Sequence, residues 1–293
     1  MEAVPGSRLI LRSSGPYHEG IVATLERRLR AAGLDMGRVR IDGKIADYAA
    51  HLRSYGEIDI ALDPLEGTTI TAKAGPNALA VLAIAEEGGL LNAPDVYMDK
   101  LACGPGYPAG IIDLNKSPSE NVKAVAAAKG VPPGEIIVCV LDRPRHEAII
   151  AELRALGCGI MLIPDGDVAG VIATSDPDTT IDLYMGSGGA PEGVLAAAAL
   201  RCVGGQFKGR LLFRNDDERA RARKWGIEDL DKVYDLEELA KGDCIFAATG
   251  VTDGSLLEGV KRKRGGIITT ESIVMRASSR TVRRVKSEHR SKV

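Results

Sequence analysis

Aromatic side chains are scarce in this chain of 293 residues: one Trp, seven Tyr and three Phe, 4% in all. A surface in which aromatics interleave with basic residues to stack bases is therefore hard to assemble. Charge of one sign is lacking too. Thirty-eight Lys and Arg against 40 Asp and Glu leave a formal charge of −2, which calls for neither nucleic acid nor an anionic membrane as partner. The five Cys are an odd number without a C-x-x-C pair, which argues against a disulfide framework. Cys139 and Cys244 lie inside apolar runs, and Cys158 and Cys202 at their edges. That is the pattern of reduced, structural thiols, and a cytoplasmic location is expected. No apolar run approaches the roughly 20 residues of a membrane span, and a polar start with Glu2 and Arg8 is unlike a signal peptide.

Glycine, by contrast, is plentiful at 34 residues, which fits an α/β protein with many tight loops. The length suits two domains. Pattern is most regular from 136 to 203, where IIVCVL, GIMLIP and TIDLYM alternate with HEAIIAELRALG, DVAGVIAT and PEGVLAAAALRCV. Strand and helix alternating three times predict right-handed crossovers and a parallel sheet. Ahead of this block VPPGE at 131–135 reads as a linker. An N-terminal α+β domain over 1–133 and a C-terminal α/β domain over 134–293 are expected. Ser117 and Glu120 form an S-x-x-E capping box for a helix that Gly130 stops. The run 78–95 reads as a hairpin about Gly88 and Gly89. Residues 216–224 read as a charged helix, CIFAATG as a strand, and the end of the chain as β-rich. Nearer the start, a helix ending at Gly33, a short strand at 38–42 and a helix over 47–55 are expected, with His18 and His51 as surface or packing residues.

The most unusual stretch is DPLEGT at 63–68, which follows the apolar run 58–62. Pro64 ends the strand ladder and Gly67 permits a tight path. Asp63 and Glu66 thereby arrive together at a strand end, with Thr68 beside them. Hard cations such as Mg²⁺ and Mn²⁺ take carboxylate oxygens and leave positions open for water and phosphate. The bland alternative is a solvated acidic turn.

In an α/β sheet ligands bind outside the carboxyl ends of the strands. Those ends carry Arg143-Pro144-Arg145, then 164–167 with Asp165, Gly166 and Asp167, then 186–193 with Gly189 and Glu192. Two Arg held apart by Pro suit a phosphate, since each guanidinium offers paired donors. The Asp165–Asp167 turn also reads as a helix N-cap. GSGGAPEG lacks the spacing of a dinucleotide fingerprint and the Lys of a P-loop. It does lead an open backbone into a helix N-terminus, with Pro191 in the first turn, which is a phosphate seat. His146 reads as a capping or packing residue. Arg276, Arg280, Arg283 and Arg284 read as a solvated strand face and basic tail.

D-P-[LI]-E-G-T resembles the metal loop of the lithium-sensitive sugar and inositol phosphatases. Its Glu66 form, together with NAPDVYMDKLACGPG, RPR and GGAPEG, resembles the class II fructose-1,6-bisphosphatases of bacteria over about residues 57–293. The resemblance implies a two-domain α/β sugar-phosphatase fold of layered sheets and helices. It implies Asp63, Glu66 and Glu192 as ligands of Mn²⁺ or Mg²⁺, and Asp63, Glu66 and Thr68 as the catalytic set. At the substrate it implies Glu66, Gly67, Thr68, Tyr97, Arg143, Pro144, Arg145, Asp165, Gly166, Asp167 and Gly189. The reaction expected is hydrolysis of the 1-phosphate of fructose 1,6-bisphosphate, a gluconeogenic step, by a homo-oligomer (dimer or tetramer). Sedoheptulose 1,7-bisphosphate is an alternative substrate, and sugar-phosphate binding without full catalysis is an alternative role. The family's G-D-K-N and G-E-G-E strings, which supply further metal acids, do not occur before residue 57. Asp42, Asp47, Glu57 and Asp59 are the acids available there instead. Five carboxylates facing a phosphate would repel it unless cations intervene. Metal pairs about 3.5–4 Å apart meet that need in phosphate hydrolysis.

Overall fold

The computed structural model describes residues 9–12, 39–42 and 58–290. The chain divides into two compact units, Met1–Glu57 and Ile58–Val293. In the first, β1 (Leu9–Arg12) pairs in parallel with β2 (Val39–Asp42). The strand expected at 38–42 is thus present. The helices expected up to Gly33 and over 47–55, with His18, His51, Asp47 and Glu57, lie outside the described residues.

The second unit begins with β3 (Ile58–Glu66), α1 (Thr68–Ala72), β4 (Leu79–Glu86), β5 (Tyr97–Cys103) and α2 (Pro118–Lys129). A strand–helix alternation follows: β6 (Ile137–Leu141), α3 (Glu147–Leu156), β7 (Gly159–Ile163), α4 (Asp167–Ala173), β8 (Leu183–Gly189) and α5 (Ala190–Val203). The chain then adds β9 (Gln206–Leu212), α6 (Asp216–Lys224), β10 (Val233–Asp235) and α7 (Leu236–Leu239). It finishes with β11 (Cys244–Gly250), β12 (Lys261–Arg262), β13 (Ile267–Arg276) and β14 (Thr281–Arg290). The capping box is formed as read: Ser117 N donates to Glu120 Oε2 at 2.8 Å, and Ser117 Oγ accepts from Glu120 N at 3.2 Å. Gly130 closes α2 in the left-handed region.

Two sheets result. One runs β12-β13-β11-β4-β3, with β14 on β13, and the other runs β10-β9-β5-β8-β6-β7. Period-two alternation sorts the second sheet's side chains between two cores. Leu101, Val138, Val140, Leu183 and Met185 join α2 and α3 on one face. Met98, Ala102, Cys139 and Tyr184 join α4, α5 and the first sheet on the other. Helix α5 touches strands of both sheets, and its run Ala196 to Ala199 is almost wholly buried. Small side chains let two sheets approach one helix closely.

Three expectations need correction. The run 78–95 is not a hairpin: β4 pairs with β3 and β11, while Leu90 bridges Ala240. Apolar periodicity marks a strand but not its partner. The sheet of the C-terminal half is mixed, because only β8-β6-β7 are parallel and β5 and β9 are antiparallel. Pairing also crosses the cut placed at 133/134 twice. β5 lies inside the second sheet, and β11 and β13 return to the first. The stretch 131–135 is only the turn into β6, with a 3₁₀ turn at Pro133–Glu135.

Candidate active site

Strand order creates the rim. β6 lies between β7 and β8, and the chain crosses from β6 to β7 over α3 and from β7 to β8 over α4. The buried side chains of α3 and α4 belong to opposite faces of the sheet. Such a reversal opens a crevice at the carboxyl ends of the two diverging strands. The loops after β6 and β8 meet in it. Arg145 Nε donates to Ser187 O at 3.2 Å and to Ser187 Oγ at 3.1 Å, and Nη2 donates to Ser187 O at 2.7 Å. Arg143 Nη2 lies 3.6 Å from Asp165 Oδ1 at the end of β7.

Antiparallel register brings Tyr97 to the same rim, opposite Gly189 on β8 and Leu212 on β9. Its ring lies beneath two cations, Arg145 at 5.0 Å and Arg214 at 5.5 Å. Contacts of this kind add about 0.5–2 kcal/mol as desolvation grows.

Asp63 and Glu66 are three residues apart, so an even strand would point them to opposite faces. A bulge between them changes this. Asp63 faces Val81 and Glu66 faces Leu79, two residues apart on β4, so both acids share one face. Asp63 Oδ1 accepts from Leu65 N at 2.9 Å. Glu66 is 3% exposed and its Oε1 accepts from Val168 N at 3.3 Å, at the start of α4. Gly166 N-caps that helix with a left-handed φ of 84° and no side-chain cap. Neither Asp165 nor Asp167 therefore serves as the N-cap.

The acids perturb one another. Burial raises the Glu66 carboxyl well above its usual range, and Asp167, Asp63 and Asp165 add to this. Burial likewise raises Asp63, against the Leu65 N–H, with Asp167 and Asp165 adding. Glu192 is raised by burial, opposed by Lys100 and helped by Asp167 and Asp63. The five acids read from the sequence are thus brought together. Thr68, at the exposed start of α1, follows Glu66 and Gly67 out of the strand. Asp59 sits at the other end of β3, where Oδ2 accepts from Leu90 N at 3.1 Å.

Glycine makes the last approach possible. A Cβ on Gly189 would lie 2.0 Å from Glu192 Oε2, and one on Gly188 would lie 2.1 Å from Asp167 Oδ2. Gly189 N-caps α5 without a side-chain cap. Ala190 N donates to Val96 O at 2.8 Å and Pro191 has no N–H, so the positive helix end, not a row of free N–H groups, is what this turn offers the acids.

Sequence reasoning missed four residues. Lys100, 1% exposed, ion-pairs with Asp167, itself 6% exposed, so that this acid points inward. A Lys inside the apolar strand YMDKLAC was the available signal. Arg214 is the second cation over Tyr97, and nothing in FRNDDE announced it. Ser187 receives Arg145. Tyr184 has a buried hydroxyl without a partner. His146, read as a cap or packing residue, does not cap α3 with its side chain but bridges β6 and β8.

The donor set fits a hard divalent cation. Glu66 Oε2 and Glu192 Oε2 are buried with no hydrogen-bond partner, a costly state that a cation would relieve. Among the described residues no three His, Cys, Asp or Glu form a metal cluster by themselves. Water and phosphate would complete the shell, as Mg²⁺ sites commonly require.

The family of bacterial fructose-1,6-bisphosphatases, glpX-encoded, matches residues 48–289. The chain belongs to this family. Fructose-1,6-bisphosphatase 1 class 2 of Escherichia coli K12 is 49% identical, over 79% of this chain and 72% of the relative. Fructose-1,6-bisphosphatase class 2 of Shigella flexneri matches to the same extent. Within the bisphosphatase match lie all the rim residues, and it opens at residue 48, somewhat before the 57 read from motifs. Among the described residues, no helix of this bisphosphatase-family chain is long and apolar enough to cross a membrane.

Proposed function

We propose that the chain hydrolyses the 1-phosphate of fructose 1,6-bisphosphate, giving fructose 6-phosphate and phosphate. Its relatives in Escherichia coli and Shigella flexneri carry the name of that activity. The observation that carries the reading is the pair of buried, unpartnered oxygens of Glu66 and Glu192. They lie beside an uncapped helix N-terminus and an arginine rim. Asp63, Glu66 and Glu192 would hold Mn²⁺ or Mg²⁺. Such an ion, when bound, makes water a nucleophile at neutral pH and offsets charge on the phosphoryl and leaving oxygens.

The remaining work belongs to the chain. Glu66 and Thr68 orient the attacking water, with Gly67 setting the turn between them. The N-terminus of α5, opened by Gly189, receives the reacting phosphate. Arg143 and Arg145, spaced by Pro144, take the far phosphate with Tyr97 beneath Arg145. Asp165 and Gly166 meet sugar hydroxyls, and Asp167 secures that turn through Lys100. The enzyme acts as a cytoplasmic homo-oligomer.

A second reading, sugar-phosphate binding without turnover, is favoured by the lack of a three-carboxylate metal cluster among the described residues. Phosphorus NMR of the full chain with fructose 1,6-bisphosphate and Mn²⁺ separates the two. Fructose 6-phosphate appears under the first reading, whereas an unchanged substrate that still binds by calorimetry favours the second.

A further inference from the structure

The RPR turn is secured by a residue that none of the roles above includes. His146 is 1% exposed. Ser187 N–H donates to its Nε2 at 2.8 Å, so Nε2 carries no proton. The proton is then on Nδ1, which donates to Leu141 O at 2.8 Å, at the end of β6. Burial, which lowers the imidazole pKa, favours the same neutral form. The ring lies against Gly186, whose φ is +137° and whose missing Cβ would come within 3.1 Å of Cε1 and Nε2. One neutral ring thus ties β6 to β8 at the switch point, with both nitrogens used.

What it ties down is Ser187, and Ser187 holds Arg145 by both its carbonyl and its hydroxyl. Ser187 Oγ also lies 3.2 Å from His146 Nε2. A guanidinium has five N–H donors in a rigid fork. Ser187 occupies the Nε side, Tyr97 lies under the face, and the rest of the fork stays open to an anion.

We propose that His146 is a positioning residue that fixes Arg145, through Ser187, for the non-reacting phosphate of the substrate. The proposal rests on the phosphate role given to Arg145 above. His146→Phe keeps a ring of similar shape but leaves the buried Ser187 N–H without an acceptor, which frees the segment that holds the guanidinium. His146→Gln can still present an oxygen near the Nε2 position.

The test is steady-state phosphate release from fructose 1,6-bisphosphate by the full chain with Mn²⁺. His146→Phe is expected to raise KM about tenfold with kcat within about twofold of wild type. His146→Gln is expected to stay within about threefold in KM, a rescue that loss of stability alone would not follow. In an Arg145→Ala background, His146→Phe should change KM by less than about twofold, because the group it positions is gone. Equal effects of His146→Phe with and without Arg145, or a fall in kcat in place of a rise in KM, would overturn the proposal. If Arg145→Ala leaves KM unchanged, the phosphate role of Arg145 falls and the proposal with it. If Arg145→Ala raises KM and His146→Phe does not, only the role of His146 falls. Should His146→Phe fail to fold, His146→Asn makes the same comparison. Its shorter amide leaves Ser187 N–H unpaired, and KM rises as expected for Phe or the proposal is wrong.

Discussion

Glu66 keeps one oxygen on Val168 N and buries the other without a partner, among Asp63, Asp165 and Asp167. Glu66→Gln preserves the volume and the oxygen that Val168 uses, and removes a charge that burial and like charges oppose. Without metal the variant should therefore be the more stable protein. The gain expected is about 1–2 kcal/mol, the usual size when a strained functional position is relieved. At about 2–4 °C per kcal/mol for chains of this size, the melting temperature should rise by several degrees. Divalent metal reverses the order. Wild type should gain about 2.7 kcal/mol at 100 times its Kd for Mn²⁺, and the variant much less. Phosphate release should fall about 100-fold or more, since a ligand and the water-orienting group go together. Thermal scans in chelator and in Mn²⁺, run beside the activity assay, read both effects. A variant less stable than wild type in chelator, or one that keeps its rate, would refute the reasoning.

Lys100→Met strands the carboxylate of Asp167 in a buried site, which costs about 3–5 kcal/mol when one partner is lost. Urea unfolding reads it, and a loss below about 1 kcal/mol would mean that the pair is dispensable. Gly189→Ala drives a methyl into Glu192 Oε2, so metal-dependent release should fall at least about tenfold while the fold survives. Calorimetric Mn²⁺ binding to that variant should weaken in step. Asp243 is held at about 2, below its ordinary 3.8, by the Arg276 guanidinium and the Ser278 N–H. Its contribution to stability is present above pH 3.8 and is lost as pH falls through about 2. The half-exposed pair limits it to less than about 1 kcal/mol. Asp243→Asn should be slightly less stable at pH 6, and the gap should close near pH 2. A gap that persists there would assign the effect to packing.

Much of the rim was legible because its signals are local. Gly67 and the acids before it mark a strand end, although β3 runs on through Pro64 to Glu66, by way of a bulge, instead of stopping at the proline. Helices α2 and α5 declare themselves by a capping box and by Pro191. The alternation from 136 to 203 carried the three parallel strands for the same reason. Pairing between distant strands left no local trace. Nothing in 97–103 says that β5 sits between β8 and β9, yet that register alone brings Tyr97 under Arg145. The bulge that puts Asp63 and Glu66 on one face appears only once β4 is aligned. Lys100, Ser187 and His146 act through partners 41 to 67 residues away. Their roles depend on topology, which periodicity does not encode.

The most direct test of the account is phosphate release from fructose 1,6-bisphosphate by the purified 293-residue chain, with Mn²⁺ or Mg²⁺ and then with chelator. The account predicts release with either added metal, fructose 6-phosphate as the sugar product, and no release once chelator is present. A folded chain that releases nothing with metal, or releases phosphate equally in chelator, would contradict it.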